Sequence, residues 1–271
     1  MAYSNFKATI WSKQIQMDLA KTMVFRDICN TKFQGEAGRG KTVKIVGVSK
    51  PTVKNYVPGT SIGSPETPAD TSMELAIDQY KYSNFLVDDV DDAQSNTDIM
   101  KALMKGSADE HAEVADAYIA SLMKNAKTVK SSAAIATPEE AKKAIDDAFV
   151  SLWEEGVKTG KDTYIVVSPW FYKLFKNSLT ETLTNNVDMV EKGIFGMYNG
   201  AYVKMSNNIF NDGTDDHIAV MTKDAVAYAD GIEEVEAYRP QDSFSDAVKV
   251  LHTFGAKVVR PEQIVCLKVH K

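Results

Sequence analysis

The sequence predicts an α+β protein, and three observations carry the prediction. Helical periodicities dominate the first two thirds of the chain. A run of β-type segments follows Ala201, segregated from them. Near the start, a Pro- and Gly-rich excursion separates two short β-type segments. At 271 residues the chain is long for one compact domain and compatible with two lobes. It has no internal repeat.

Residues Phe6 to Phe25 read as an amphipathic helix, with Trp11, Ile15, Leu19 and Met23 recurring every four residues. Such a stripe packs on its own core or, as an arm, on a neighbour. Glycines from Gly35 to Gly40 end the pattern, and Thr42 to Val48 is rich in β-branched residues, as strands are. Met73, Leu75 and Ile77 share one face of a return strand over 73–78. The connection between these strands, with Pro51, Pro58, Gly59, Gly63, Pro65 and Pro68, is roughly twenty residues long, against the two to five of an ordinary hairpin. A two-stranded ribbon is marginal in water unless something covers it. The rest of the chain or another chain could do so.

A long helix is expected over 93–124, about 45 Å at 1.5 Å per residue. Its face would be Ile99, Leu103, His111, Val114, Tyr118 and Leu122, widened by Ala102, Ala115, Ile119 and Met123. Asp88, Asp89, Asp91 and Asp92 suit its positive end. Thr137-Pro138-Glu139-Glu140 is a capping box opening a second helix, with Ala141, Ala144, Ile145, Ala148, Leu152 and Trp153 on its apolar face and Gly156 as its stop. Tyr164 to Val167 is a buried strand, and Ser168-Pro169 begins a short aromatic helix. Strands follow over 202–205, 217–221, 232–238, 247–254 and 264–269.

Apolar residues make up 44% and charged residues 25%, an ordinary globular balance, and no apolar run reaches the 18 residues of a membrane span. Residues 1–13 lack a secretion signal pattern. Cys29 and Cys266, the two cysteines, make no disulfide framework, and a reducing interior follows. The net charge of −6, with a pI near 5.3, argues against gripping nucleic acid by its phosphates, which usually takes a basic excess.

One catalytic motif is formally complete. Gly35 to Thr42 fits G-x-x-x-x-G-K-[ST], the phosphate-binding loop. That chemistry needs a strand before the loop and a helix after it; here the order is reversed, so the glycines are expected to form a turn. The four histidines, His111, His217, His252 and His270, are far from one another and from the cysteines in sequence, with no metal-ligand spacing. No nucleophile motif or placed carboxylate pair stands out. No catalytic, cofactor or metal residue is expected, and the chain is not expected to be an enzyme.

The text of the chain also resembles phage coat proteins. The resemblance rests on Trp11-Ser12, Cys29-Asn30, Phe33-Gln34-Gly35-Glu36 and Thr42 to Ile45, on Leu75 to Gln79 and Asn84 to Asp91, on Gly200 to Asn208, and on Arg239-Pro240. Together with the order of elements it covers nearly the whole chain and identifies it as similar to major capsid (coat) proteins of tailed bacteriophages, with the Hong Kong 97-like fold. The resemblance implies an N-terminal arm (1–37), an extended β-hairpin loop (38–84), a peripheral domain with a spine helix (85–135), an axial domain (136–230), peripheral return strands (231–262) and a final axial strand (263–271). It implies a structural subunit self-assembling through pentamers and hexamers into an icosahedral shell around double-stranded DNA, in the virion, after assembly in the host bacterial cytoplasm. Scaffolding, portal and decoration proteins are implied partners, and no membrane is. Trp11, Ile15, Leu19, Lys54, Tyr56 and Pro58 are the candidate intersubunit contacts. Because the chain starts at its arm, a scaffolding segment before it is expected to be absent or removed. The alternatives are an encapsulin-type nanocompartment shell and, from another class, a P-loop nucleotide hydrolase.

Overall fold

The computed structural model describes residues 24–33, 42–48, 52–61, 63–65, 70–88, 99–160, 162–180 and 197–271. The predicted α+β class holds, and the strands fall into three sheets. β1 (Thr42–Val48) and β2 (Asp70–Ala76) form an antiparallel ribbon in which Val43 faces Leu75 and Ile45 faces Met73. β3 (Gln79–Asp88), β9 (Val226–Tyr238) and β10 (Ser245–Val258) form a second sheet, with β10 central. The third has six strands in the order β4-β11-β8-β5-β7-β6: β4 (Thr128–Ala134), β5 (Thr163–Val167), β6 (Met197–Tyr198), β7 (Ala201–Met205), β8 (Asp216–Thr222) and β11 (Ile264–His270). β4 pairs parallel with β11, and β5 with β7, so this sheet is mixed.

The long helix, α2 (Ile99–Ser121), follows the short α1 (Val24–Ile28) and continues as a 3-10 turn over Leu122–Asn125. Its expected start, and the acidic run after Asp88, lie outside the described residues. The buried face matches the sequence expectation in part: His111, Ala115, Ile119 and Met123 are buried as expected, but Met104, Ala108 and Ala112 join them while Leu103 and Val114 are exposed. Small residues let the helix axis approach the sheet closely, and weighting the large side chains turns the predicted stripe away from that face.

α3 (Pro138–Glu154) has the expected capping box. The Glu140 amide donates to Thr137 Oγ1 at 3.3 Å, and the Thr137 amide donates to Glu140 Oε2 at 3.1 Å. The Ala136 amide, which donates to Glu140 Oε2 at 2.9 Å, and then the Thr137 amide hold the Glu140 carboxyl below its usual range. At the other end Gly156 takes φ +74°, which suits a residue without Cβ. Trp153, expected on the apolar face, is half exposed, and its indole N–H donates to Thr159 Oγ1 at 3.0 Å. With α4 (Pro169–Thr180), α3 covers one face of the six-stranded sheet through Ile145, Phe149, Phe171 and Phe175. Val166, Ala219, Met221 and Cys266 on the other face join the core under α2. Burial on both faces is why β5 reads as a continuous apolar run rather than an alternating one.

The boundaries expected at residues 84 and 230 fall inside β3 and β9, which run on as unbroken strands of the second sheet. The ribbon stands on that sheet: Val43, Ile45, Leu75 and Ile77 pack on Ala227 and Ala229. At this junction β10 has Gly255, where a methyl group would overlap the Ala76 carbonyl oxygen and sit 2.9 Å from the Ile77 Cα. Close approach of two backbones explains the glycine.

Candidate functional site

Of the candidate contacts, Trp11, Ile15 and Leu19 lie outside the described residues, as do residues 35–41 of the phosphate-loop match. Lys54, Tyr56 and Pro58 lie in the connection beyond the ribbon, all exposed. Val57 to Thr60 makes a turn with Pro58 and then Gly59 at φ +86°, the arrangement of a type II turn, closed by the Thr60 amide on the Val57 carbonyl at 3.2 Å. The turn pushes apolar side chains into solvent: Val53 is 96% exposed, Tyr56 65% and Val57 59%. Val53 and Val57 were missed in the sequence, although Val-x-x-Tyr-Val beside a Pro-Gly turn is a usable signal.

A second apolar surface was also missed. Along β3, Ser83, Phe85 and Val87 turn inward, whereas Tyr80, Tyr82 and Leu86 face solvent. Tyr82, with Leu251, Val250, Glu234, Glu236 and Lys249, lines a groove of about 420 Å³ on the outer face of the second sheet. Phe244, at the β9–β10 turn, is 85% exposed. Three exposed aromatic or aliphatic patches on separate elements are what a chain with several partner surfaces presents.

A larger cleft, about 600 Å³, lies between the end of α3 and the turns flanking β8 and β11. Its lining is largely polar. Thr222 Oγ1 donates to Gln263 at 2.6 Å, and Glu155 accepts from Lys127 Nζ at 2.6 Å.

The fold corrects the reading of the histidines as isolated. His111 on α2 and His252 on β10 pack edge to face, 5.8 Å between ring centroids. His217 approaches the Cys266 sulfur at 3.6 Å through Nδ1 and Asp212 at 3.2 Å through Nε2, and His270 contacts Asp215 at 2.7 Å. The Asp215 amide, then the His217 ring and then the Thr214 amide hold the Asp212 carboxyl far below its usual range. Burial raises the Cys266 thiol to about 11, so it is a packed thiol.

The buried network around His252 ties four elements together. His252 Nε2 lies 3.3 Å from Asp230 Oδ1 and 3.8 Å from Glu233 Oε1, while its Nδ1 is buried with no hydrogen-bond partner. Tyr228 donates its phenol proton to Asp230, and Arg26 of α1 pairs with the other Asp230 oxygen at 3.0 Å. Burial opposes ionisation of Asp230, but these partners outweigh it and lower its pKa. Burial, then the charge of His252, pushes His111 down to about 4. On α2, Asp116 accepts from the Val24 and Phe25 amides at 3.3 and 3.1 Å and so caps α1; burial nevertheless raises its carboxyl to about 6. The segment after α1 is tied as firmly: the Asn30 amide donates to the Val226 carbonyl, and the Asn30 carbonyl accepts from the Tyr228 amide.

Comparison with known proteins adds a relationship. No family model and no curated protein matches the chain. Among solved structures, a chain of Mycobacterium phage Che8 is 31% identical, with 90% of each chain covered and a TM-score of 0.78. A chain from the capsid structure of the cyanophage P-SCSP1u superposes at TM-score 0.72 over 92% of this chain and 88% of its own, at 16% identity. A virus-like particle from Pyrococcus furiosus shares the fold at TM-score 0.62, covering 98% and 100% of the two chains at 12% identity.

Proposed function

The chain belongs to the major capsid proteins of tailed bacteriophages, with the Hong Kong 97-like fold, and from that premise we propose how it builds the shell. It is a capsid subunit that associates with copies of itself, and a component of the virion. The proposed assembly runs through pentameric and hexameric rings that close into an icosahedral shell around double-stranded phage DNA, in the host bacterial cytoplasm. Head-to-tail contacts close rings when the rotation per subunit fits. Several weak contacts per subunit then hold the shell by multivalency.

The observation carrying this reading is the extended loop. Val53, Tyr56 and Val57 are exposed at its tip, held out by a Pro-Gly turn. A neighbouring subunit is the proposed cover. The net charge of −6 fits a container that encloses DNA without gripping it by sequence. We further propose that the subunit has no catalytic role and meets scaffolding, portal and decoration proteins during assembly. The encapsulin alternative rests on a likeness of fold alone. Electron microscopy of the expressed protein tests the proposal: closed shells, with rings of five and six, are expected. A monodisperse monomer under all salt and concentration conditions, with and without a scaffold, overturns it. Shells that package a specific enzyme would favour the nanocompartment. Saturable, magnesium-dependent nucleotide binding lost in Lys41→Ala would revive the hydrolase.

A further inference from the structure

We propose that Asp230, Glu233 and His252 form a binding site for a divalent transition-metal ion of the zinc class, beneath the long helix. The inference goes beyond shell assembly and does not rest on it. Sequence spacing concealed the site, because the ligands come from two strands and are assembled by an irregularity in their pairing.

That irregularity is a β-bulge. His252 pairs with Glu233 and Phe254 with Asp230, so Gly231 and Ile232 stand opposite Thr253 alone. In a regular strand, residues three apart point to opposite faces. The extra residue cancels that alternation and brings both carboxylates to His252. Gly231 suits the crowded spot: a Cβ there would meet the Thr253 hydroxyl and lie 3.0 Å from Ile77 Cγ2, so those side chains would have to shift.

The donor set and spacing fit the ion. The candidate ligand atoms all lie within 4.8 Å of one another. Two donors each about 2.1 Å from a tetrahedral ion stand roughly 3.4 Å apart. His252 Nε2 and Asp230 Oδ1 are separated by 3.3 Å, and Glu233 Oε1 lies 3.8 Å from the same nitrogen, close enough for a side-chain adjustment. One imidazole and two carboxylates form a set that borderline transition ions accept. Glu233 is partly exposed while His252 is buried, which gives the ion an entry side and leaves a position for water.

The surroundings are arranged as a second layer. Arg26 occupies Asp230 Oδ2, leaving Oδ1 turned to His252, and the Tyr228 hydroxyl fixes that oxygen further. The buried His252 Nδ1 has no hydrogen-bond partner, while Nε2 bonds to Asp230 Oδ1; an ion bound at Nε2 would replace that bond, with the ring proton moving to Nδ1.

The test uses the full, untagged chain, stripped with chelator and titrated with Zn²⁺ alone by calorimetry, with Co²⁺ absorption as a report on geometry. One ion per chain is expected, with a raised melting temperature and a tetrahedral Co²⁺ spectrum. Glu233→Gln keeps shape and removes one charged ligand at a partly exposed position; it should weaken binding about tenfold or more while leaving the stripped protein's melting temperature unchanged. His252→Gln should abolish the spectrum. No binding to the wild type overturns the proposal. So does binding of equal strength in Glu233→Gln, which would place the ion elsewhere, for example at His217 or His270.

Discussion

Replacing Gly255 with alanine tests how the ribbon is mounted. The added methyl would overlap the Ala76 carbonyl oxygen and stand 2.9 Å from Ile77 Cα. Carbon atoms in contact prefer about 3.5–4.0 Å, so the base of the ribbon must retreat by about 0.6–1 Å. Both obstacles are backbone atoms, and no side chain can rotate out of the way. Overpacking of this kind costs about 1–3 kcal/mol, or a fall in melting temperature of about 2–4 °C per kcal/mol for a chain somewhat smaller than this one. Seven paired positions extend the ribbon by about 23 Å from its base, so a small tilt there displaces the tip by more than the shift itself. The variant should therefore lose shell assembly out of proportion to its loss of stability. Scanning calorimetry of the subunit and particle counts by negative-stain microscopy measure the two effects. Wild-type melting would refute the claimed close approach. A destabilised variant that still assembled at the wild-type yield would refute the claim that the mount aims the tip.

Deleting residues 56–65 should change the subunit's melting temperature by less than 2 °C, because this stretch buries little on its own chain, yet it should impair shell formation; amide exchange in 52–61 should be fast in free subunits and slow in shells. Thr137→Ala should cost about 0.5–2 kcal/mol in urea unfolding through loss of the α3 cap. His111 supplies a pH signature. Its folded pKa is depressed to about 4 from 6.5, so its contribution is present above 6.5 and is lost as pH falls toward 4. Asp116 acts with the opposite sign: its pKa is raised to about 6 from 3.8, so its contribution is greatest below 3.8 and is lost as pH rises through 6. Removing the His111 term with His111→Gln should leave stability less acid-sensitive between pH 4 and 6.5 than in the wild type, and identical pH slopes would contradict the assignment.

Local signals were the legible part of this fold. Thr137, Pro138, Glu140 and Gly156 mark both ends of α3 with groups that satisfy or terminate backbone hydrogen bonds, so the helix could be read without its partners. The prolines and glycines between β1 and β2 announced an excursion. What depended on distant packing was not legible. β4 went unread because Thr128 to Ala134 has a weak strand pattern and owes its conformation to pairing with β11. The face of α2 was misjudged in part because Ala108 and Ala112 matter for their smallness. In the loop, Lys54, Tyr56 and Pro58 were singled out while the more exposed Val53 was not. The association of His111 with His252 joins residues on a helix and a strand far apart in sequence, and the register irregularity at Gly231 that gathers Asp230 and Glu233 is visible only once the strands are paired.

The position of β11 in the six-stranded sheet also bears on synthesis. It lies between β4 and β8, and every other strand of that sheet precedes it in the chain. Until β11 has left the ribosome, β4 has no bonded neighbour in the sheet, and β8 has one open edge. The lobe that β11 completes therefore cannot close on a nascent polypeptide. Prematurely terminated products would lack that strand and expose an unpaired edge, which marks them for chaperones and proteases before they can poison a growing lattice.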